Sequence, residues 1–95
     1  MSNTKTVGVV SHHNEGTGGF WWFPEGTTRE ALDAAFDKEV AIWTSAQGNE
    51  ADTTIRLVMV EVPAHLDGEE LTIELDSDID ALEIDLPALR EIVTR

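Results

Sequence analysis

The sequence predicts an α+β domain, a two-layer sandwich in which helices pack on one face of a four-stranded, mostly antiparallel sheet. Three observations carry this. Strand-like runs and helical runs alternate in the order ββαββα; the links between them are of turn length; and one run, Thr53 to Val62, is apolar on both faces, as a central strand must be. The chain, 95 residues long, forms one domain over residues 1–95, with no internal repeat and no linker long enough to divide it.

Lys5 to Ser11 has the β-branched density of a first strand, and Gly8 within it marks a close approach or a bulge. His12 to Gly19 combines Asn14, Thr17 and three glycines, the composition of a long hairpin loop with Glu15 to Gly19 as its tip. Phe20 to Phe23 follows as a short aromatic strand closed by Pro24 and Gly26. Alternation sends Phe20 and Trp22 to one side and Trp21 and Phe23 to the other, so helices on one face alone would leave one pair open to a partner.

Thr27 to Glu30 has the form of a capping box and predicts a helix from Thr27 to about Ala46 with Gly48 as its C′ residue. Leu32, Ala35, Phe36, Val40 and Trp43 recur at three- and four-residue steps along its inner side. Asn49 to Asp52 links it to the central strand, and Pro63 to Gly68 is a turn. Beyond that turn Leu71, Ile73 and Leu75 alternate with Glu70, Thr72, Glu74 and Asp76, which predicts a strand with one apolar and one carboxylate face. Ala81 to Leu86 resumes the alternation briefly. Pro87 then opens a last short helix with Leu86, Leu89, Ile92 and Val93 on one side.

The charge is lopsided. Nineteen acidic residues face six basic ones, a net charge of −13, and residues 48–95 carry −10 of it against −3 for residues 1–47. From Asp67 to Asp85 there are nine acids and no base, and Lys and Arg are absent between Arg56 and Arg90. Such a field repels nucleic acid and anionic membranes and favours a basic protein surface. The absence of cysteine excludes a disulfide framework, a thiol nucleophile and thiolate-bound zinc. With no apolar run of membrane-spanning length, a cytoplasmic protein is expected, in the host cytoplasm if the chain is phage-encoded.

Motifs for chemistry are weak. Asp76, Asp78 and Asp80 start like a calcium loop, but Ala81 stands where the EF-hand needs glycine and Pro87 where it needs a bidentate glutamate. The adjacent His12 and His13 send their rings to opposite sides, and His65 stands alone in a turn. The glycine-rich segment lacks the lysine of a phosphate-binding loop and leads into a strand. No enzyme activity, metal or cofactor is expected. The expected role is a small non-enzymatic interaction protein of the DNA-mimic type, an inhibitor occupying the basic groove of a nucleic-acid-binding enzyme. In composition the chain resembles small acidic phage and mobile-element proteins that block restriction or CRISPR complexes. Its partner-binding residues would be Glu61, Asp67, Glu69, Glu70, Glu74, Asp76, Asp78, Asp80, Glu83 and Asp85, with Trp21 and Trp22 as aromatic anchors. The alternative is a domain of a salt-adapted organism whose acidity serves solubility; that bias should coat the whole chain, whereas this one is concentrated after Gly48.

Overall fold

A computed structural model of the chain describes residues 3–14, 17–45 and 52–94. It is an α+β fold built on one four-stranded antiparallel sheet, β1 (Thr4–Asn14), β2 (Thr17–Phe23), β3 (Thr53–Pro63) and β4 (Ala88–Thr94), in the order β2-β1-β3-β4. Helix α1 (Arg29–Ser45) follows β2; helix α2 (Gly68–Ser77) and a π-helical turn (Ala81–Asp85) lie between β3 and β4. The predicted class, the sheet and the leading ββαβ order stand. The last two elements are exchanged, and the helical segments cover both faces of the sheet.

Register explains the second point. Val7, Val9 and Ser11 lie across from Val60, Val58 and Arg56, so these residues share one face. There Val7, Val9, Val58 and Val62 pack with Leu71 and Leu75 of α2 and Leu82 of the π-turn. On the other face Val10, Ile55 and Leu57 pack with Leu32 and Phe36 of α1. Since β3 is apolar on both sides, each side needs its own cover, and the result is three layers where two were predicted. Gly8 is a close approach: a Cβ there would stand 2.6 Å from Leu32 Cδ2, so α1 rests directly on the β1 backbone.

The acidic segment is a helix, not a strand. Asp67 is its N-cap, its side chain accepting from the Gly68 N–H at 2.9 Å, while Gly68 takes a positive φ of 54°. Asp67-Gly68-Glu69-Glu70 also has the spacing of a capping box, a signal that the alternation of Leu71, Ile73 and Leu75 masks. Only Leu71 and Leu75, four residues apart, are buried; Ile73 is 64% exposed. Each buried leucine contributes roughly 1.5–3 kcal/mol, which anchors the helix on the sheet.

The C-terminal segment is a strand, not a helix. β4 pairs with β3 from Thr94 opposite Thr53 to Ala88 opposite Val58, with Leu89 as the extra residue of a bulge. The 3.6-residue pattern there is deceptive, because Leu89, Ile92 and Val93 are all substantially exposed on this edge. The decisive residue is Arg56 on β3, which is only 5% exposed. Its Nη1 donates to the Leu82 carbonyl at 3.0 Å, its Nη2 to the Leu86 carbonyl, and its Nε to Glu91 Oε2 at 2.8 Å. Ser11 Oγ also donates to the Leu82 carbonyl, at 3.3 Å. One guanidinium thus satisfies carbonyls freed at the end of the π-turn and fixes β4 through Glu91.

Helix α1 starts one residue later than its capping box implies. Thr28 is the N-cap: its Oγ1 accepts from the Ala31 N–H at 3.1 Å and its carbonyl from the Leu32 N–H at 3.0 Å. Thr27 instead ties down the preceding turn, donating through Oγ1 to the Pro24 carbonyl at 2.7 Å. The predicted helix end near Ala46 and the Gly48 cap lie outside the described residues, as do Glu15, Gly16 and most of the link before Asp52.

Two stability predictions follow from these contacts. Replacing Arg56 by Met leaves the Leu86 carbonyl without its side-chain donor, the Leu82 carbonyl with Ser11 alone and the half-exposed Glu91 carboxylate unpaired, and should cost about 1–3 kcal/mol in urea unfolding. Arg56→Lys should recover little of that loss, since an ammonium lacks the planar fork that reaches three acceptors; wild-type stability in either variant would remove Arg56 as the clamp. Thr28→Ala should cost about 0.5–2 kcal/mol by the same measurement through loss of the N-cap.

Candidate functional site

The acidic residues gather on the α2 layer. Leu71 and Leu75 turn inward, so Glu69, Glu70, Glu74 and Asp76 are carried outward on α2, with Asp67 before it and Asp78, Asp80 and Asp85 after it, all exposed. Among the described residues none of these carboxylates pairs with a basic group. The last turn of α2 contains no basic residue; Asp76 and the C-cap Asp78 stand where the helix dipole is negative, an unfavourable placement. Two apolar side chains join this layer: Ile73 on α2 and Ile84 in the π-turn, which are 64% and 63% exposed.

Two of the predicted acids are placed elsewhere. Glu61 is exposed on β3 opposite Thr6, on the α1 side of the sheet. Glu83 is turned inward, and its Oε2 lies 2.7 Å from His13 Nδ1. The run Asp76, Asp78, Asp80 spans the end of α2 and the turn after it; among the described residues no group of three or more His, Cys, Asp or Glu is arranged to hold a metal.

Most of the predicted His12 to Gly19 loop is paired strand, with His12 opposite Gly19, His13 opposite Gly18 and Asn14 opposite Thr17. The two imidazoles do take opposite faces. His12 Nδ1 lies 3.1 Å from Glu39 Oε1 on the α1 side, and its ring is 4.9 Å from that of Trp43. Neither histidine makes an in-line ring hydrogen bond to its carboxylate, so both are close polar contacts, not aligned hydrogen bonds. The glycines make room for them: a Cβ on Gly19 would meet the His12 ring at 2.8 Å, and one on Gly18 would overlap Glu83.

The aromatic strand divides as its alternation requires. Trp22 lies on the α2 side, half-buried, and its Nε1 donates to Thr72 Oγ1 at 2.9 Å, so it ties β2 to α2. Trp21 lies on the α1 side and is 64% exposed. Both faces are covered by helices, yet Trp21 stays open because α1 does not reach over it.

Helix α1 handles its charges differently from α2. The Arg90 guanidinium lies 4.3 Å over the Phe36 ring and pairs with Asp33 at 3.3 Å and Asp37 at 2.9 Å, while Arg29 pairs with Asp33 at 3.1 Å. Hydrogen bonding to Arg29, against the opposing effect of burial, and then the Arg90 contact hold the Asp33 carboxyl below its ordinary value of 3.8. Bonding to Asp37 likewise raises Arg90.

Sequence reasoning missed Ile73 and Ile84, whose exposure depends on helical geometry, and it missed the pairing of His12 with Glu39 and of His13 with Glu83. The one signal for those pairs was Gly18 and Gly19 standing across a hairpin from two histidines.

Because Asp33 is held below its unfolded value, the stability it contributes is present above that value and lost as pH falls through its folded one. Asp33→Asn should therefore lower the melting temperature at about pH 6, and the gap to wild type should close as pH falls towards about 3. A pH-independent gap would mean the charge is not what Asp33 contributes. Comparison with known protein families, with curated proteins and with solved structures finds no match to this chain.

Proposed function

We propose that this chain is a non-enzymatic interaction protein whose α2 layer docks in the basic, nucleic-acid-binding groove of a protein partner, as a mimic of a DNA strand. The observation that carries the reading is charge density. Six exposed carboxylates, Asp67, Glu69, Glu70, Glu74, Asp76 and Asp78, fall on a helical segment about 18 Å long, one per ~3 Å. A single DNA strand carries one charge per ~3.4 Å.

The cost of this arrangement supports it. Acids at the C-terminal end of α2 oppose the helix dipole and one another, and no basic neighbour among the described residues relieves them. On α1 the opposite holds, with Asp33 and Asp37 compensated by Arg29 and Arg90. A general adaptation to salt would treat the two helices alike.

The test uses tagged protein on a column, loaded with a lysate rich in DNA-binding enzymes. Bound partners should be released by double-stranded DNA and by modest salt, because several carboxylates act at once. Charge reversal at Glu70, Glu74 and Asp76 to Lys should abolish retention without loss of the fold by circular dichroism. If the retained proteins are neither released by DNA nor lost in the triple variant, the mimic reading is wrong.

A further inference from the structure

A second candidate site lies on the other side of the sheet, where a cleft of about 550 Å³ opens between the C-terminal half of α1 and β2. That volume is within the ~300–1,000 Å³ of ordinary ligand sites. Its walls are mainly aromatic and aliphatic: Trp21, Trp22 and Phe23 on β2, Ala35, Ile42 and Trp43 on α1. One buried charge lines it. Glu39 Oε1 accepts from Trp43 Nε1 at 2.9 Å and lies 3.1 Å from His12 Nδ1, which orients the carboxylate; Oε2 takes part in neither contact.

We propose that this cleft receives an arginine side chain from a basic segment of a partner protein, its guanidinium on the indole faces of Trp21 or Trp43 and donating to Glu39 Oε2. The same helix supplies the precedent. One to two turns earlier, α1 holds Arg90 by an aromatic face, Phe36, together with the carboxylates Asp33 and Asp37. Glu39 and Trp43 repeat that combination, with no arginine among the described residues lining the cleft. Arginine suits it better than lysine, because guanidinium is planar, weakly hydrated and stacks on aromatic rings. The chain's net charge of −13 favours a cationic visitor. Lys38 also lines the cleft, from an exposed position, so its flexible ammonium can turn to water. It serves as the sign test: a cationic ligand gains when Lys38 is removed and an anionic one loses. The cleft lies across the sheet from α2 and does not depend on the acidic layer.

The probe is a capped glycyl-arginyl-glycine amide, titrated while the indole N–H signals of the three tryptophans are followed by NMR. The Trp43 and Trp21 signals should move and saturate; Trp22 also borders the cleft, but its Nε1 is bonded to Thr72 on the opposite face, so its indole signal should move least of the three. A lysyl peptide should bind more weakly and the neutral citrullyl peptide not at all. Glu39→Gln, which keeps an acceptor for Trp43, should weaken binding about tenfold. Lys38→Ala, at a solvent-exposed helix position, should tighten it about two- to fivefold. Charge reversal at Glu70, Glu74 and Asp76 should leave it unchanged, so this site and the acidic layer stand or fall separately. The proposal is overturned if the arginyl peptide gives no saturating shift up to about 20 mM. It is equally overturned if the citrullyl peptide binds as well, if Lys38→Ala weakens binding, or if the α2 reversal abolishes it.

Discussion

A single buried guanidinium holds the second half of this fold together. Arg56 sits in the first half of β3 with its head among carbonyls at the π-turn and the side chain of Glu91 on β4. A buried arginine is costly unless its donors are matched, and here the matching groups come from two further elements. Those elements must therefore assemble around it: the π-turn presents its carbonyls and β4 lies antiparallel to β3 with Glu91 directly opposite Arg56. With the turn fixed, Leu82 enters the core beside Leu71 and Leu75, and α2 is seated on the sheet.

This arrangement explains which parts of the structure were legible in the sequence. The first three strands were, because β-branched residues and the two-faced apolar pattern of residues 53–62 depend only on local geometry. The helix at 29–45 was as well, through its apolar stripe. The last two elements were not. Leu71, Ile73 and Leu75 satisfy a two-residue period, and the choice of helix rests on the Asp67 cap and on Ile73 being left outside. Leu89, Ile92 and Val93 satisfy a helical period, and the choice of strand rests on pairing with residues more than thirty positions earlier. Local pattern cannot weigh such a distant partner. Arg56 interrupting the apolar face of Val58, Val60 and Val62 was the available clue, since a charge placed there needs partners from elsewhere.

The same logic applies to the surfaces. The density of carboxylates after Gly48 was plain from composition, but their placement on one helical layer, the withdrawal of Glu83 to His13 and the exposure of Ile73 and Ile84 follow from tertiary structure. Asp33 and Asp37 on α1 show how this chain matches charge within the fold: both carboxylates are paired with arginines, and Arg90 is backed by the Phe36 ring. The α2 layer departs from that practice. Exposed, unmatched and partly opposed to the helix dipole, its acids are held in place by two buried leucines and a cap.

The central claim is that the α2 acids are kept for a partner at the expense of the fold. The most direct measurement is the melting temperature of wild type and of a neutralised variant, Glu70→Gln with Glu74→Gln and Asp76→Asn, from about 0.05 to about 1 M sodium chloride. Wild type should be folded throughout and gain stability with salt, and the neutralised protein should melt higher at low salt with a flatter salt response. A neutralised variant that melts lower than wild type at low salt, or a wild type unfolded below about 0.5 M, would contradict the account.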